Sequence, residues 1–270
     1  MSGIEQGIYQ LGWLDEFSQR RSPVHSIDPR AKVIVTFVFL VCVVSFGKYD
    51  ILGLLPYLLF PIAMMTESGM PGVELGRRLL IAAPFAMVVG IFNPLLDRAV
   101  VAHLGALAVT GGVVSYISII LRFLLTTSAA LLLVATTSMP DVCAAIERLG
   151  VPNVLATQLL FLYRYIFVLV EEVMRLARAR SLRSFHGRGM GMNVYGNILG
   201  HLLLRTVARS QRVFAAMQCR GFDGRLRTRR VLAMTGRDWA FIFGWSAAFV
   251  LFRMFDVTLL LGLLVTKVIS

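Results

Sequence analysis

Charge is scarce in this chain: 16% of its 270 residues are Asp, Glu, Lys or Arg, while 57% are hydrophobic. Together with a mean hydropathy of +0.75 this excludes an ordinary soluble domain and fits a polytopic membrane protein, for which the bilayer is the solvent. Cysteine is scarce too. Cys42, Cys143 and Cys219 lie far apart with no C-x-x-C, so neither a disulfide framework nor a zinc site is indicated. The histidines, His25, His103, His186 and His201, form no ligand-spaced cluster, which leaves no metal site. A G-x-x-x-x-G-K-[ST] loop is lacking, so ATP cannot be held here in a Walker A cradle. The glycines of FHGRGMGMN (185–193) lack both the G-x-G-x-x-G pattern and a preceding strand, and read as a flexible connector. Glu5, Asp15 and Glu16 precede any apolar run, unlike a cleavable signal peptide, so the first membrane helix is expected to stay in the mature protein.

What charge there is has one sign and one place. The net charge is +12, and residues 171–230 hold thirteen arginines against Glu171, Glu172 and Asp223. Such a block suits nucleic acid, anionic lipid or an acidic protein. In a membrane protein the positive-inside rule gives the simplest reading, that the block faces the cytoplasm.

Between charged flanks the apolar runs define crossings. Pro29-Arg30-Ala31-Lys32 starts a helix with a basic flank, followed by the run Val33 to Phe46; Ile51 to Met65 makes a second run. Each is about 14–15 residues, short of the roughly 20 that span ~30 Å of hydrocarbon, so a tight hairpin of short or extended helices is expected. A third helix covers Leu79 to Phe92 and a fourth Val113 to Thr136, with residues 98–112 open between an external loop and a re-entrant segment. Arg20, Arg21, Arg30 and Lys32 then lie inside, Lys48 outside, Arg77 and Arg78 inside, Arg98 outside, and the arginine block inside again. A last apolar segment, Trp239 to Val265, suffices for one crossing, and its Arg253 and Asp256 can neutralise each other. Arg122, near mid-depth of the fourth helix, costs at least ~2.5–3.5 kcal/mol to insert, so it should face protein, water or a partner. It is a candidate intramembrane functional charge, or an arginine that packs helices.

The expected fold is thus an all-α polytopic membrane protein with about five transmembrane helices and a domain of three amphipathic helices between the fourth and the last. The divisions are a cytoplasmic N-terminal segment 1–30, transmembrane helices 1–4 over 31–137, a cytoplasmic coupling domain 138–236 and a C-terminal transmembrane helix 237–270. Within 138–236, SMPDVCAAIERLGVP is a short amphipathic helix stopped by Gly150 and Pro152. A second helix runs from about Asn153 to Ser184, apolar and aromatic first and charged later, able to enter or lie along the membrane boundary; its Glu171 and Arg175 make a favourable i,i+4 pair. A third covers about Val194 to Gly221. It sets Leu199, Leu203, Val207, Ser210, Phe214 and Met217 on a stripe expected to pack, opposite Arg205, Arg209, Arg212, Ala216 and Arg220.

The second and third helices end alike. ARSLRSF and AMQCRGF both fit Ala-x-x-x-Arg-small-Phe, through Ala179, Arg183, Ser184 and Phe185 and through Ala216, Arg220, Gly221 and Phe222. An alanine one turn before the arginine and a small residue after it leave the guanidinium clear to reach an acidic groove on another protein. There its planar fork makes charge-assisted bonds and the phenylalanine adds an apolar anchor.

SPVHSIDPRAK, LRFLLTTSAALLLVATTSMPDVCAAIERLGVP, YRYIFVLVEE, ARSLRSF and AMQCRGF together resemble the transmembrane T component of energy-coupling factor (ECF) transporters, the EcfT/CbiQ family, and most closely the CbiQ type of cobalt and nickel uptake. The resemblance covers about residues 22–222, and the paired arginine motifs are its most specific part. It implies a non-catalytic subunit of an ECF-type ABC importer, docked through Arg183 and Arg220 onto two CbiO-like ABC-type ATPases. A CbiM-like membrane subunit would carry the substrate, a small CbiN-like subunit is a further possible member, and no nucleic acid is involved. It also implies no cofactor on this chain, with ATP and Mg on the partners, and a multi-pass place in a bacterial or archaeal cell (inner) membrane. The first motif departs from the family at Leu182 and Ser184, where alanine and glycine are usual, so Arg180 stays open as the first docking residue. Two other readings remain: a conventional ABC permease domain that binds substrate itself, and a polybasic lipid-binding scaffold.

Overall fold

The computed structural model describes residues 22–96, 100–104, 107–183, 192–224 and 234–254. Helices dominate, as the composition requires of a chain whose backbone must satisfy its own hydrogen bonds in lipid. The residues fall into two compact units: a bundle drawn from Leu14–Ser138 and Leu232–Ser270, and a second unit within Met139–Val231.

Helix α1 (Pro29–Val44) is at the heart of the bundle. Ala31, Val35, Phe39 and Val43 recur every fourth residue on one face and are fully buried, whereas Phe37, Val41 and Val44 point outward. The second apolar run begins as a 3-10 turn over Leu52–Leu58, with Pro56 inside it, and continues as α2 (Leu59–Ser68). The two short helices expected from the two runs are therefore present, but α1 packs mainly on Gly111–Thr136 and Gly236–Met254 and not tightly on its successor. Rings from α1, the 3-10 turn, α2 and the last helix, α9 (Gly236–Met254), interlock: Phe39 lies 4.9 Å from Phe60 and 5.3 Å from Phe249 between ring centroids. The Tyr57 hydroxyl donates to the Phe249 carbonyl at 2.7 Å, so this buried polar group in the cluster is satisfied.

The longer helices α3 (Gly72–Gly90) and α5 (Gly111–Thr136) pack on each other through small residues. Gly90 is required there, because a Cβ in its place would come within 2.8 Å of the Tyr116 ring. Between them lie a short α4 (Phe92–Leu96) and an antiparallel hairpin, β1 (Val100–Leu104) with β2 (Leu107–Thr110). Of the stretch left open between a loop and a re-entrant segment, residues 100–104 and 107–110 are thus paired backbone, and Gly111 and Gly112 already belong to α5. β-Branched and alternating residues in VVAHL and LAVT favour strand over helix.

The second unit comprises α6 (Met139–Arg148), α7 (Asn153–Arg183) and α8 (Met192–Cys219), close to the boundaries read from the sequence. Gly150, at φ 107, ends α6 in the left-handed conformation that glycine permits. Among the described residues three helical stretches can cross a membrane by length and composition: Gly72–Pro94, Gly111–Thr136 and Asn153–Arg180. The third belongs to the block read as lying outside the membrane. Its apolar, aromatic first half meets the same measure as the bundle helices, and few of its residues are buried against the rest of the chain.

Candidate functional site

The terminus of α8 is set by backbone hydrogen bonds. The Phe222 N–H donates to the Met217 carbonyl at 3.0 Å and the Gly221 N–H to the Gln218 carbonyl at 3.0 Å, the Schellman pattern, with Gly221 at φ 77. Arg220 is therefore the capping residue, its side chain exposed, with Ala216 exposed one turn earlier and Phe222 half-buried beyond. Among the described residues the Arg220 guanidinium has no hydrogen-bond or ion-pair partner. The small residue of this motif thus has a second reason: only a residue tolerant of positive φ can stop the helix here.

Arg183 is the last residue of α7, with Ala179 exposed one turn before it. Ser184 and Phe185 lie outside the described residues. Arg180, the alternative to Arg183, is also exposed.

Contacts between α7 and α8 fix where the two ends lie in this unit. Glu172 on α7 accepts from Arg205 on α8 at 2.6 Å, and the Thr157 hydroxyl near the start of α7 donates to the Gly224 carbonyl just past α8 at 3.4 Å. The helices therefore run antiparallel, and their arginine ends lie on opposite sides of the Glu172–Arg205 contact. At 1.5 Å per residue the eleven residues to Arg183 and fifteen to Arg220 set the ends on the order of 40 Å apart. A groove of about 740 Å³ beside the contact is lined by Tyr165, Leu169, Glu172, Arg205, Arg209 and Arg212 among others.

The seam of α8 is not the expected one. Leu199, Leu203, Val207 and Phe214 stay exposed, Leu203 at 64%, while Ile198, Leu202, Thr206, Val213 and Met217 are half-buried. Met217 keeps its expected place, while Ile198, Leu202, Thr206 and Val213 each sit one residue before the expected Leu199, Leu203, Val207 and Phe214, a rotation of about 100°. Arg205 belongs to the stripe read as solvent-facing, yet it turns toward Glu172 on α7. Glu171 and Arg175 do form the expected pair at 3.5 Å, each about 70% exposed, so it is a solvated contact of little energy. Cys143 on α6 is buried, and burial pushes its thiol pKa up.

In the bundle, Arg122 donates to the Gly47 carbonyl and faces Asp50, in the loop that follows α1. The same loop is held from α9, where Arg253 donates to the Ser45 carbonyl at 3.2 Å and stacks 4.4 Å from the Phe46 ring. Asp256, the partner expected for Arg253, lies outside the described residues.

At the other end of α1 is a cluster that reading by charge missed. Lys32, taken as part of a basic flank, is 2% exposed and donates from Nζ to the Thr136 carbonyl at the end of α5 at 2.8 Å. Asp238, in the first turn of α9, is 3% exposed and accepts from the Asp28 N–H at 2.8 Å and from the Thr235 N–H and hydroxyl, both at 2.7 Å. The Lys32 ammonium acts favourably on that carboxylate. Two signatures could have found it: Asp28 ahead of Pro29 is an N-cap before a first-turn proline, and Thr235-x-x-Asp238 ahead of an apolar run is a capping box.

Apolar helices of membrane length, joined to a unit whose two long helices end in arginine, define a polytopic all-α membrane protein. Residues 20–232 match the family model described as CbiQ, cobalt transport protein. The chain belongs to that family and is an energy-coupling transporter component. It is 28% identical over 262 residues to the energy-coupling factor transporter transmembrane protein EcfT of Heliobacterium modesticaldum, covering 88% of this chain and 95% of that one. With EcfT of Limosilactobacillus fermentum it shares 27% identity, over 80% of this chain and 86% of the other. The cobalt transport protein CbiQ of Salmonella typhimurium is 27% identical over 114 residues, 42% of this chain and 51% of that protein.

Proposed function

We propose that this chain is the energy-coupling transmembrane subunit of an ECF-type ABC importer. It links ATP hydrolysis on two CbiO-like ATPases to a separate membrane subunit that binds cobalt or nickel ion, with the α6–α8 unit in the cytoplasm of a bacterial or archaeal inner membrane. The observation that carries the reading is the pair of like-ended helices, of which the α8 end is a capped, exposed arginine with no partner among the described residues. Two equivalent ends on the order of 40 Å apart suit two sockets on two neighbouring subunits better than two sites on one. Arg183 and Arg220 enter acidic grooves, Ala179 and Ala216 leave room for the groove walls, and Phe185 and Phe222 anchor beside them. ATP and Mg stay on the partners. When the ATPases close, their motion reaches both arms and passes through the Glu172–Arg205 crossing.

The test is co-expression with the chromosomal neighbours of the gene and affinity purification on this chain. The reading expects two ATPase copies and one unrelated membrane protein that carries bound metal. Metal retained by this chain in the absence of such a protein would instead make it a substrate-binding permease.

A further inference from the structure

Two oppositely charged side chains, Lys32 and Asp238, are almost completely buried at one end of the bundle. Burying charged groups is costly unless hydrogen bonds and nearby opposite charge offset it, so two buried charges are weak support for mere stability. Where this pair lies gives it another use. Lys32 holds the carbonyl of Thr136, the last residue of α5. The chain leaves the bundle after Ser138, two residues later, and its described residues resume in the bundle at Met234, next to Thr235. Thr235 is in turn tied to Asp238 through its N–H and hydroxyl, and Asp238 to the start of α1 through the Asp28 N–H. One cluster on α1 thus fastens both strands of chain that join the bundle to the other unit. Its charges also match the helix ends they meet, with a cation at the carboxyl end of α5 and carboxylates at the amino ends of α1 and α9. Asp28 also receives the Arg30 N–H at 2.9 Å and lies 3.6 Å from its guanidinium, so the cluster is a network of four charges.

We propose that Lys32, Asp238 and Asp28 form an anchor that holds both inter-unit connections to α1, so that force applied to the α6–α8 unit reaches the bundle at one point. Lys32 and Asp238 are positioning residues: they touch neither ATP nor substrate. The inference rests on the coupling reading above for its purpose, but not for its geometry.

The experiment is hydrogen exchange on the chain co-purified with its ATPases, comparing wild type, Lys32→Met, Lys32→Arg and Lys32→Met/Asp238→Asn. Lys32→Met is expected to speed exchange about tenfold at 134–138 and at 234–238, leaving 35–43 in α1 as in wild type, with Lys32→Arg restoring most of the protection. The double variant, which removes the charges together, keeps the fold and shows the same two local losses. Uptake of cobalt(II) or nickel(II) into vesicles falls at least tenfold in Lys32→Met while its ATPases stay bound. The proposal is overturned if exchange rises evenly through α1, which makes the pair a folding element. It is also overturned if neither or only one connection loosens, or if uptake is unchanged. A wild-type chain that retains no ATPase refutes the coupling reading instead, and exchange measured on the chain alone still decides the anchor.

Discussion

Removing the Glu172 charge should loosen the crossing of α7 and α8 without unfolding it. In Glu172→Gln the contact to Arg205, 2.6 Å in the wild type, changes from an ion pair to a hydrogen bond between the guanidinium and an uncharged amide oxygen. Because the Arg205 side chain is 63% exposed, the pair is worth only about 0.5 kcal/mol, and the melting temperature should fall by about 1–2 °C. The geometric effect is larger. Cys219 lies fourteen residues beyond Arg205, an arm of about 21 Å, so each 10° of freed rotation moves that end by about 4 Å relative to the first half of α7. Spin labels on the exposed Cys219 and on a cysteine at the exposed Val154, with Cys42 and Cys143 replaced, report that distance by pulsed dipolar spectroscopy. Glu172→Gln should broaden the distribution by about 4 Å, and raising salt in the wild type should reproduce part of the change, since the pair is screened. A distribution identical in both proteins, or a melting loss above about 5 °C, refutes the view that this pair sets the angle of the crossing.

Gly221→Ala should cost about 1 kcal/mol at the end of α8, since φ 77 strains any residue with a Cβ although nothing lies within 4 Å of it. Gly221→Asn should cost less, with exchange at 217–222 as the readout. Gly90→Ala should destabilise the α3–α5 contact by about 1–3 kcal/mol because of Tyr116, whereas Gly76→Ala, with open space around it, should be neutral or slightly stabilising; thermal melts compare the two. Cys143 should alkylate far more slowly than exposed Cys219 at neutral pH and gain rate as pH rises past the ordinary thiol range, because burial raises its pKa and the thiolate is the reactive form. Mass spectrometry of the labelled peptides measures both rates, and equal rates at pH 7 count against the burial of Cys143.

Helix positions were legible because apolar runs bounded by proline, glycine and charge leave few alternatives: α6, α7 and α8 lie within one or two residues of their expected limits. Proline also explains the 3-10 turn, since Pro56 removes a backbone donor inside a run too short to be a spanning helix. What periodicity could not supply was which face meets which neighbour. Apart from Met217, the α8 seam lies one residue away from the hydrophobic stripe, and Arg205 meets Glu172 thirty-three positions earlier in the chain. In a membrane protein an apolar stripe can face lipid as readily as protein, so hydrophobicity does not choose the seam. Lys32 and Asp238 escaped for a related reason. Counting charges near helix ends assumes that they reach water, and these two are closed off by contacts far away in the sequence. Arg122 is intermediate: its burial called for a partner, but only the fold brings the Gly47 carbonyl to it.

The central claim is that two guanidinium groups, and not a diffuse positive surface, hold the ATPases. Its most direct measurement is the affinity of the detergent-solubilised chain for its ATPases, titrated for Arg183→Ala, Arg220→Ala and Arg225→Ala at fixed salt. Loss of an interface anchor of about 2 kcal/mol weakens binding roughly 30-fold, so the first two variants should each lose at least that much, and Arg225→Ala less than about threefold. Equal, modest losses in all three, shrinking as salt is raised, would contradict the claim.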